Sequence, residues 1–254
     1  MNKKVAPDAP VRIEEELQDI ERWQEGRILL LDKPLDWTSF DLVNKFKLAL
    51  RHGLNLKKIK IGHAGTLDPK ATGLMILLTG KCTRMTDLIH TYDKSYEATI
   101  CLGATTPCYD TERPIDAVFP IDHITESGIL TTMKNFTGKI VQFPPSFSAV
   151  KIDGHTAYKS AHRGISVVTR PREVEVFEFN LIRMELPYLY LHIRCSSGTY
   201  IRSMAHDLGK ALKSGAYLAA LKRTAIGPWK VLDALNLEDI IHKIRSYQLN
   251  EVNT

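Results

Sequence analysis

Gly62-His63-Ala64-Gly65-Thr66-Leu67-Asp68-Pro69-Lys70-Ala71-Thr72-Gly73 is a loop punctuated by three glycines and a proline, and the apolar run Leu74 to Leu78 follows it directly. Such punctuation specifies turns, and a short continuous apolar run beyond it reads as a strand. Asp68 is the only carboxylate of the loop, and no other acid lies between Asp41 and Asp87. A lone carboxylate in a basic neighbourhood stays ionised, because nearby cations favour the charged form. That state suits a nucleophile better than a proton donor. The alternative is an ordinary Asp-Pro turn in which Asp68 bonds its own backbone.

Outward from this loop the pattern alternates between strand and helix. Upstream, Arg27 to Leu31 reads as a strand and Asp32 to Trp37 as a loop holding a proline. Thr38 or Ser39 then caps a helix whose apolar side includes Phe40, Val43, Phe46 and Leu50. Further upstream, Ile13, Leu17 and Ile20 place an acidic amphipathic helix in an extension over residues 1–26. Downstream, Tyr96, Ala98, Ile100 and Leu102 alternate on one strand face, as do Leu189, Leu191, Ile193 and Cys195. The second of these strands runs through Ser196-Ser197-Gly198 into a helix with Ile201, Met204, Ala205, Leu208 and Leu212 on one stripe. Long strands with irregularly spaced helices, and no βαβ repeat, predict an α+β fold with a mixed or antiparallel sheet. There is no internal repeat and no low-complexity tract.

Of the 254 residues 44% are hydrophobic and 25% charged, with a net charge of +5, which excludes an acidic disordered chain and allows one large domain or two small ones. No run approaches the ~18 apolar residues of a membrane span, and the N-terminal lysines precede no apolar segment. The expected location is therefore the cytoplasm, with no membrane partner. Cys82, Cys101, Cys108 and Cys195 form no C-x-x-C pair, and the nine histidines show no zinc-ligand spacing, so no metal is expected. Gly80-Lys81 fails as a phosphate loop because Met75 and Cys82 stand where glycine and Ser/Thr are needed, and no G-x-G-x-x-G occurs.

The charge is uneven. Residues 1–26 carry four basic and seven acidic side chains, so the remainder holds +8. Leu42 to Leu67 has six basic residues and no acid; Lys134 to Arg172 has seven against Asp153 alone. Such segments suit a phosphate backbone, the other reading being a lysine-rich solvated surface.

Five ordered motifs carry a resemblance. Leu31 to Ser39 (LDKPLDWTS), the Gly62 to Gly73 loop, Lys94 to Ala98 (KSYEA), Pro144 to Gly154 (PPSFSAVKIDG) and Cys195 to Ser203 (CSSGTYIRS) resemble, in that order, the motifs of bacterial tRNA pseudouridine-55 synthases of the TruB type. The likeness extends from about Arg27 to Trp229. It implies an α+β pseudouridine synthase fold, a mixed, mainly antiparallel sheet flanked by helices with a catalytic cleft between two halves, its catalytic domain over residues 27–235. It implies isomerisation of uridine 55 in the tRNA T loop by base flipping, attack by an aspartate, glycosidic cleavage and reattachment through C5, with no cofactor.

Carried onto this chain, the resemblance makes Asp68 the nucleophile and Arg202 its partner. Tyr96 would stack on the uracil and help remove the C5 proton. Tyr200 would shape the base pocket and Leu221 would wall it. His63 would fill the gap left by the flipped base, while Lys33 and Lys151 would bind substrate. The implied partner is the T arm of tRNA, with neither DNA nor a membrane, and the protein a monomer. The alternatives are a non-catalytic RNA-binding or tRNA-folding module on the same scaffold, and a glycosylase releasing free uracil.

Flipping requires a pocket with aromatic and apolar walls and costs a few kcal/mol, and a forked guanidinium holds a buried carboxylate ionised and oriented. Three residues depart from the family pattern: Asp36 where glycine is usual, Phe147 where tyrosine is usual, and Lys70 in place of an apolar residue. Asp36 predicts a different backbone in that turn, and Lys70 adds positive charge beside the loop. Only 25 residues follow Trp229, fewer than the ~50 of a further domain, so residues 236–254 are expected to be a helical tail without a separate RNA-binding domain. The segment from Lys134 to Arg172 is then the expected clamp over the RNA.

Overall fold

The structure is a computed structural model describing residues 20–56, 58–145, 151–152, 155–156 and 170–252. Two compact units divide the chain. The first is built from both chain ends, residues 1–92 and 222–254, and the second from residues 93–221.

The first unit contains helix α1 (Ile20–Glu25), strand β1 (Ile28–Lys33), helix α2 (Ser39–Gly53), strands β2 (Ile61–His63) and β3 (Ala71–Thr79) and the short helix α3 (Thr86–His90). β3 is its central strand. Leu74 to Leu78 are all buried, so the run is covered on both faces, as continuous apolar strands are. β3 pairs antiparallel with β1, from Ile28↔Leu78 to Lys33↔Gly73, and with β2, from Ile61↔Thr79 to His63↔Leu77.

α2 begins where its capping box dictates. The Thr38 hydroxyl accepts from the Asp41 amide at 3.0 Å while the Asp41 carboxylate accepts from the Thr38 amide at 2.9 Å. Thr38 is the cap, and Ser39 is released for another use. The buried stripe is Ser39, Leu42, Phe46 and Leu50; Phe40, expected on it, is 72% exposed. Phe40 lies two residues before Leu42, about 200° around the helix from it. Trp23 of α1 packs against Phe46, ring centroids 5.8 Å apart, so the described part of the acidic extension is anchored to α2. Ile13 and Leu17 lie outside the described residues.

The second unit opens with β4 (Lys94–Leu102), followed by the hairpin strands β5 (Ala104–Thr105) and β6 (Ala117–Val118) and helix α4 (Glu126–Met133). β7 (Gly138–Gln142), the short pair β8 (Lys151–Ile152) and β9 (His155–Thr156), β10 (Arg172–Glu185), β11 (Tyr188–Cys195) and helix α5 (Ile201–Ala211) follow. β12 (Ala216–Ile226) carries the chain from this unit back to the first, where β13 (Trp229–Lys230), β14 (Leu235–Asn236) and helix α6 (Leu237–Val252) complete it. β14 runs parallel to β1, whereas β4, β11, β10 and β7 pair antiparallel in that order. The sheets are therefore mixed and mainly antiparallel, with helices against them: α+β, as expected. Tyr96, Ala98, Ile100 and Leu102 of β4 join Leu189, Leu191, Ile193 and Cys195 of β11 and the Ile201, Met204, Ala205, Leu208 and Leu212 stripe in one core. No described helix is long and apolar enough to cross a membrane.

Candidate active site

The expected residues divide between the units. Lys33, His63 and Asp68 belong to the first, and Tyr96, Lys151, Tyr200, Arg202 and Leu221 to the second.

Asp68 lies on the β2–β3 loop, whose backbone is held from three directions. Ser39, freed from capping, donates its hydroxyl to the Leu67 carbonyl at 3.1 Å and accepts from the Leu67 amide at 2.9 Å. From β1, the Lys33 ammonium donates to the carbonyls of Pro34, Trp37 and Pro69 at 2.8, 2.6 and 3.4 Å. From β12, Arg223 donates to the carbonyls of Gly65, Thr66 and Leu74 at 3.0, 3.4 and 2.8 Å. The loop itself closes with the Ala71 amide on the Asp68 carbonyl at 3.0 Å. Asp68 is thus presented on a backbone fixed at Leu67 and Pro69, the residues on either side of it.

Lys33 is fully buried, and its donors go to main-chain oxygens. Burial lowers its pKa from the ordinary 10.5 to about 8; the Asp68 carboxylate is the strongest of the charges that hold it up. The two groups therefore stabilise each other's ionised form. His63 closes β2, half-buried, and burial pushes its pKa down, with His90 and Arg223 adding to the effect. A neutral imidazole is the favoured form there.

Asp36 takes up φ 63°, the left-handed region that glycine enters freely and Asp tolerates better than most residues. The turn therefore keeps a conformation open to glycine, and the expected change of backbone is not forced. The Asp36 amide donates to the Pro69 carbonyl at 2.9 Å, and its carboxylate meets the Lys70 ammonium at 2.7 Å. Two of the departures from the family pattern thus pair with each other. Phe147 lies outside the described residues.

In the second unit, Tyr96 sits on β4 opposite Ile193 of β11, its body buried in the core against which Leu221 also packs. Tyr200 occupies the N-cap of α5. Its amide donates to the Gln142 side-chain oxygen at 3.0 Å, and the Gln142 amide nitrogen returns a bond to the Tyr200 carbonyl at 3.3 Å. Ser203 adds a bond to the Phe143 carbonyl at 2.7 Å, so the first turn of α5 is fixed to the end of β7.

Arg202, next along this turn, is only 4% exposed. It donates to the Cys108 carbonyl at 3.4 Å, and its Nε lies 3.7 Å from the carboxylate of Asp110, itself buried. A buried guanidinium beside a carboxylate has its charge compensated and its plane fixed. Lys151 opens β8. Most of the expected clamp between Lys134 and Arg172 lies outside the described residues.

Sequence reading missed Asp110, Gln142 and Arg223. Arg223 stood inside the motif run AALKRTAIG, but its role depends on carbonyls far away along the chain. Among the described residues no group of His, Cys, Asp or Glu is assembled to hold a metal ion.

Residues 51–201 match the family model described as TruB family pseudouridylate synthase (N terminal domain). The chain is 44% identical over 230 residues to tRNA pseudouridine synthase B of Phocaeicola vulgatus, covering 91% of this chain and 98% of that protein. It is 50% identical over 202 residues to that of Parabacteroides distasonis, covering 80% and 86%. Among solved structures, a chain of a Cbf5-Nop10-Gar1 complex superposes with a TM-score of 0.66 at 28% identity, covering 97% of this chain and 66% of that one. A chain of an H/ACA RNP bound to a substrate RNA containing 2'-deoxyuridine gives 0.65 at 27%, covering 100% and 63%. The chain spans just under two thirds of the length of those two solved chains.

Proposed function

The chain belongs to the TruB family of pseudouridylate synthases, and from that premise we propose that it isomerises uridine 55 in the T loop of tRNA to pseudouridine, with Asp68 as the nucleophile. The observation that carries the assignment of Asp68 is the clamp on its loop. Ser39, Lys33 and Arg223 fix the backbone on both sides of one carboxylate, and the charge of the buried Lys33 ammonium favours its ionised form. A nucleophile must be both charged and held in place before the substrate arrives.

In the reaction the target uridine leaves the RNA stack, and Asp68 attacks it. The bond between N1 and the ribose breaks, the uracil turns while still held, and C5 takes the place of N1 on C1′ as the bond to Asp68 is released. The C5 proton leaves with the help of Tyr96 and N1 takes one up, so the product is an isomer of the substrate. Tyr96 offers the flipped base an aromatic face, and Leu221 an apolar wall. Tyr200 shapes the pocket, His63 takes up the space vacated in the RNA, and Arg202 orients the Asp68 carboxylate. Lys33 acts through the loop it holds, and Lys151 contacts the RNA backbone. No cofactor enters this scheme, and the working unit is a single chain with the T arm as its partner.

Asp68→Asn removes the nucleophile and leaves the basic surface intact. Single-turnover assays should find product formation reduced by at least about 10⁴-fold with RNA affinity within about threefold of the parent. Turnover by the purified variant at a rate comparable to the parent would overturn the assignment.

A further inference from the structure

Two consecutive side chains of the loop after β5 turn toward α5. Asp110 reaches Arg202, and the ring of Tyr109 lies flat on His206, centroids 4.0 Å apart and planes 18° from parallel. Arg202 and His206 stand one helical turn apart on the same face. The loop therefore engages α5 at two successive rungs.

In extended backbone, neighbouring side chains point to opposite sides. Tyr109 escapes this with φ 65°, a left-handed conformation that is unfavourable for a bulky residue, whose Cβ crowds the following carbonyl. The surroundings fix it there. The Tyr109 amide donates to the Thr106 carbonyl at 3.1 Å, and the Leu218 amide donates to the Tyr109 carbonyl at 2.9 Å. Asp110 is held in turn by the Thr106 hydroxyl on its carbonyl at 2.7 Å and the Glu112 amide on its carboxylate at 2.9 Å.

We propose that Tyr109 and His206 are positioning residues, their stack holding the left-handed turn that aims Asp110 at the Arg202 guanidinium. This rests on the role assigned above to Arg202. Burial lowers the His206 pKa, against the pull of Asp207 and Asp116 and with the help of Lys210, so a neutral ring faces Tyr109. A neutral ring also avoids a second cation one turn from Arg202.

The test compares substitutions that separate the ring from the backbone, using single-turnover pseudouridine formation at saturating T-arm RNA, RNA affinity and thermal melts. Tyr109→Ala loses the ring while its Cβ still resists the left-handed turn, and the rate should fall about tenfold or more at unchanged affinity. Tyr109→Gly also loses the ring but adopts the turn freely, and should recover at least about threefold over Tyr109→Ala. His206→Ala should be as slow as Tyr109→Ala, whereas His206→Phe keeps a flat partner and should regain most of the rate.

A folded Tyr109→Ala at the parental rate would overturn the proposal, as would Tyr109→Gly no faster than Tyr109→Ala. Should Tyr109→Ala fail to fold, the His206 pair decides: equal rates for His206→Ala and His206→Phe overturn it. Arg202→Lys separates this from the reading beneath it. A parental rate for Arg202→Lys removes the role of Arg202 itself. A slow Arg202→Lys beside fast Tyr109→Ala and His206→Ala removes only the positioning stack.

Discussion

Lys33 carries three N–H donors, and three carbonyls receive them. Its position in the motif LDKPLDWTS marks it as important but not how it acts. The structure makes it a buried support of the Asp68 loop, and this has a pH signature. The unfolded chain keeps the proton until about pH 10.5, while the folded protein releases it near 8. Between those values the unfolded state binds more protons, so the contribution of Lys33 to stability rises with pH across that window. Activity should move the other way, because a neutral amine has two donors for three carbonyls and no longer supports the Asp68 charge. A falling limb near pH 8 in the single-turnover rate, absent from a slower Lys33→Met, is the expected outcome. The same limb in Lys33→Met would assign it elsewhere.

At the scale of elements, β3 and β12 meet at a point where side chains are excluded. Gly73 has φ 103°, and a Cβ there would lie 2.3 Å from the Arg223 carbonyl oxygen and 2.7 Å from its nitrogen, backbone atoms that cannot give way. Gly73→Ala should therefore lose about 3 kcal/mol or more in urea unfolding, whereas Gly62→Ala, whose Cβ would meet only the Thr83 and Thr86 side chains at ordinary contact distance, should stay within about 1 kcal/mol. Similar unfolding midpoints for the two variants would show that β12 approaches less closely. Strand alternation in β4 and β11 and the punctuation of the Asp68 loop are local patterns, and both were legible in the sequence. The phase of α2 was not, because Phe40 is as apolar as Phe46 and only the Thr38 cap, with the packing of Leu42, decides between them. Nor was the arginine clamp: Arg223 meets carbonyls 149 and 158 residues away, a separation no local spacing encodes. Asp110 was hidden for the same reason, its partner Arg202 lying beyond most of the second unit.

For the molecule as a whole, the chain supplies the proposed nucleophile and its supports from one unit and Tyr96, Tyr200 and Arg202 from the other, with β12 carrying Leu221 at the end of the second unit and Arg223 in the first. Family membership fixes the kind of chemistry, pseudouridine formation, and leaves the position on the RNA as the claim to be tested. The deciding measurement is carbodiimide labelling with mass spectrometry of an unmodified tRNA transcript after incubation with the purified chain. The expected result is one pseudouridine, at position 55, with the transcript otherwise unchanged in mass. Free uracil with an abasic site at that position, or no labelled residue at all, would contradict it.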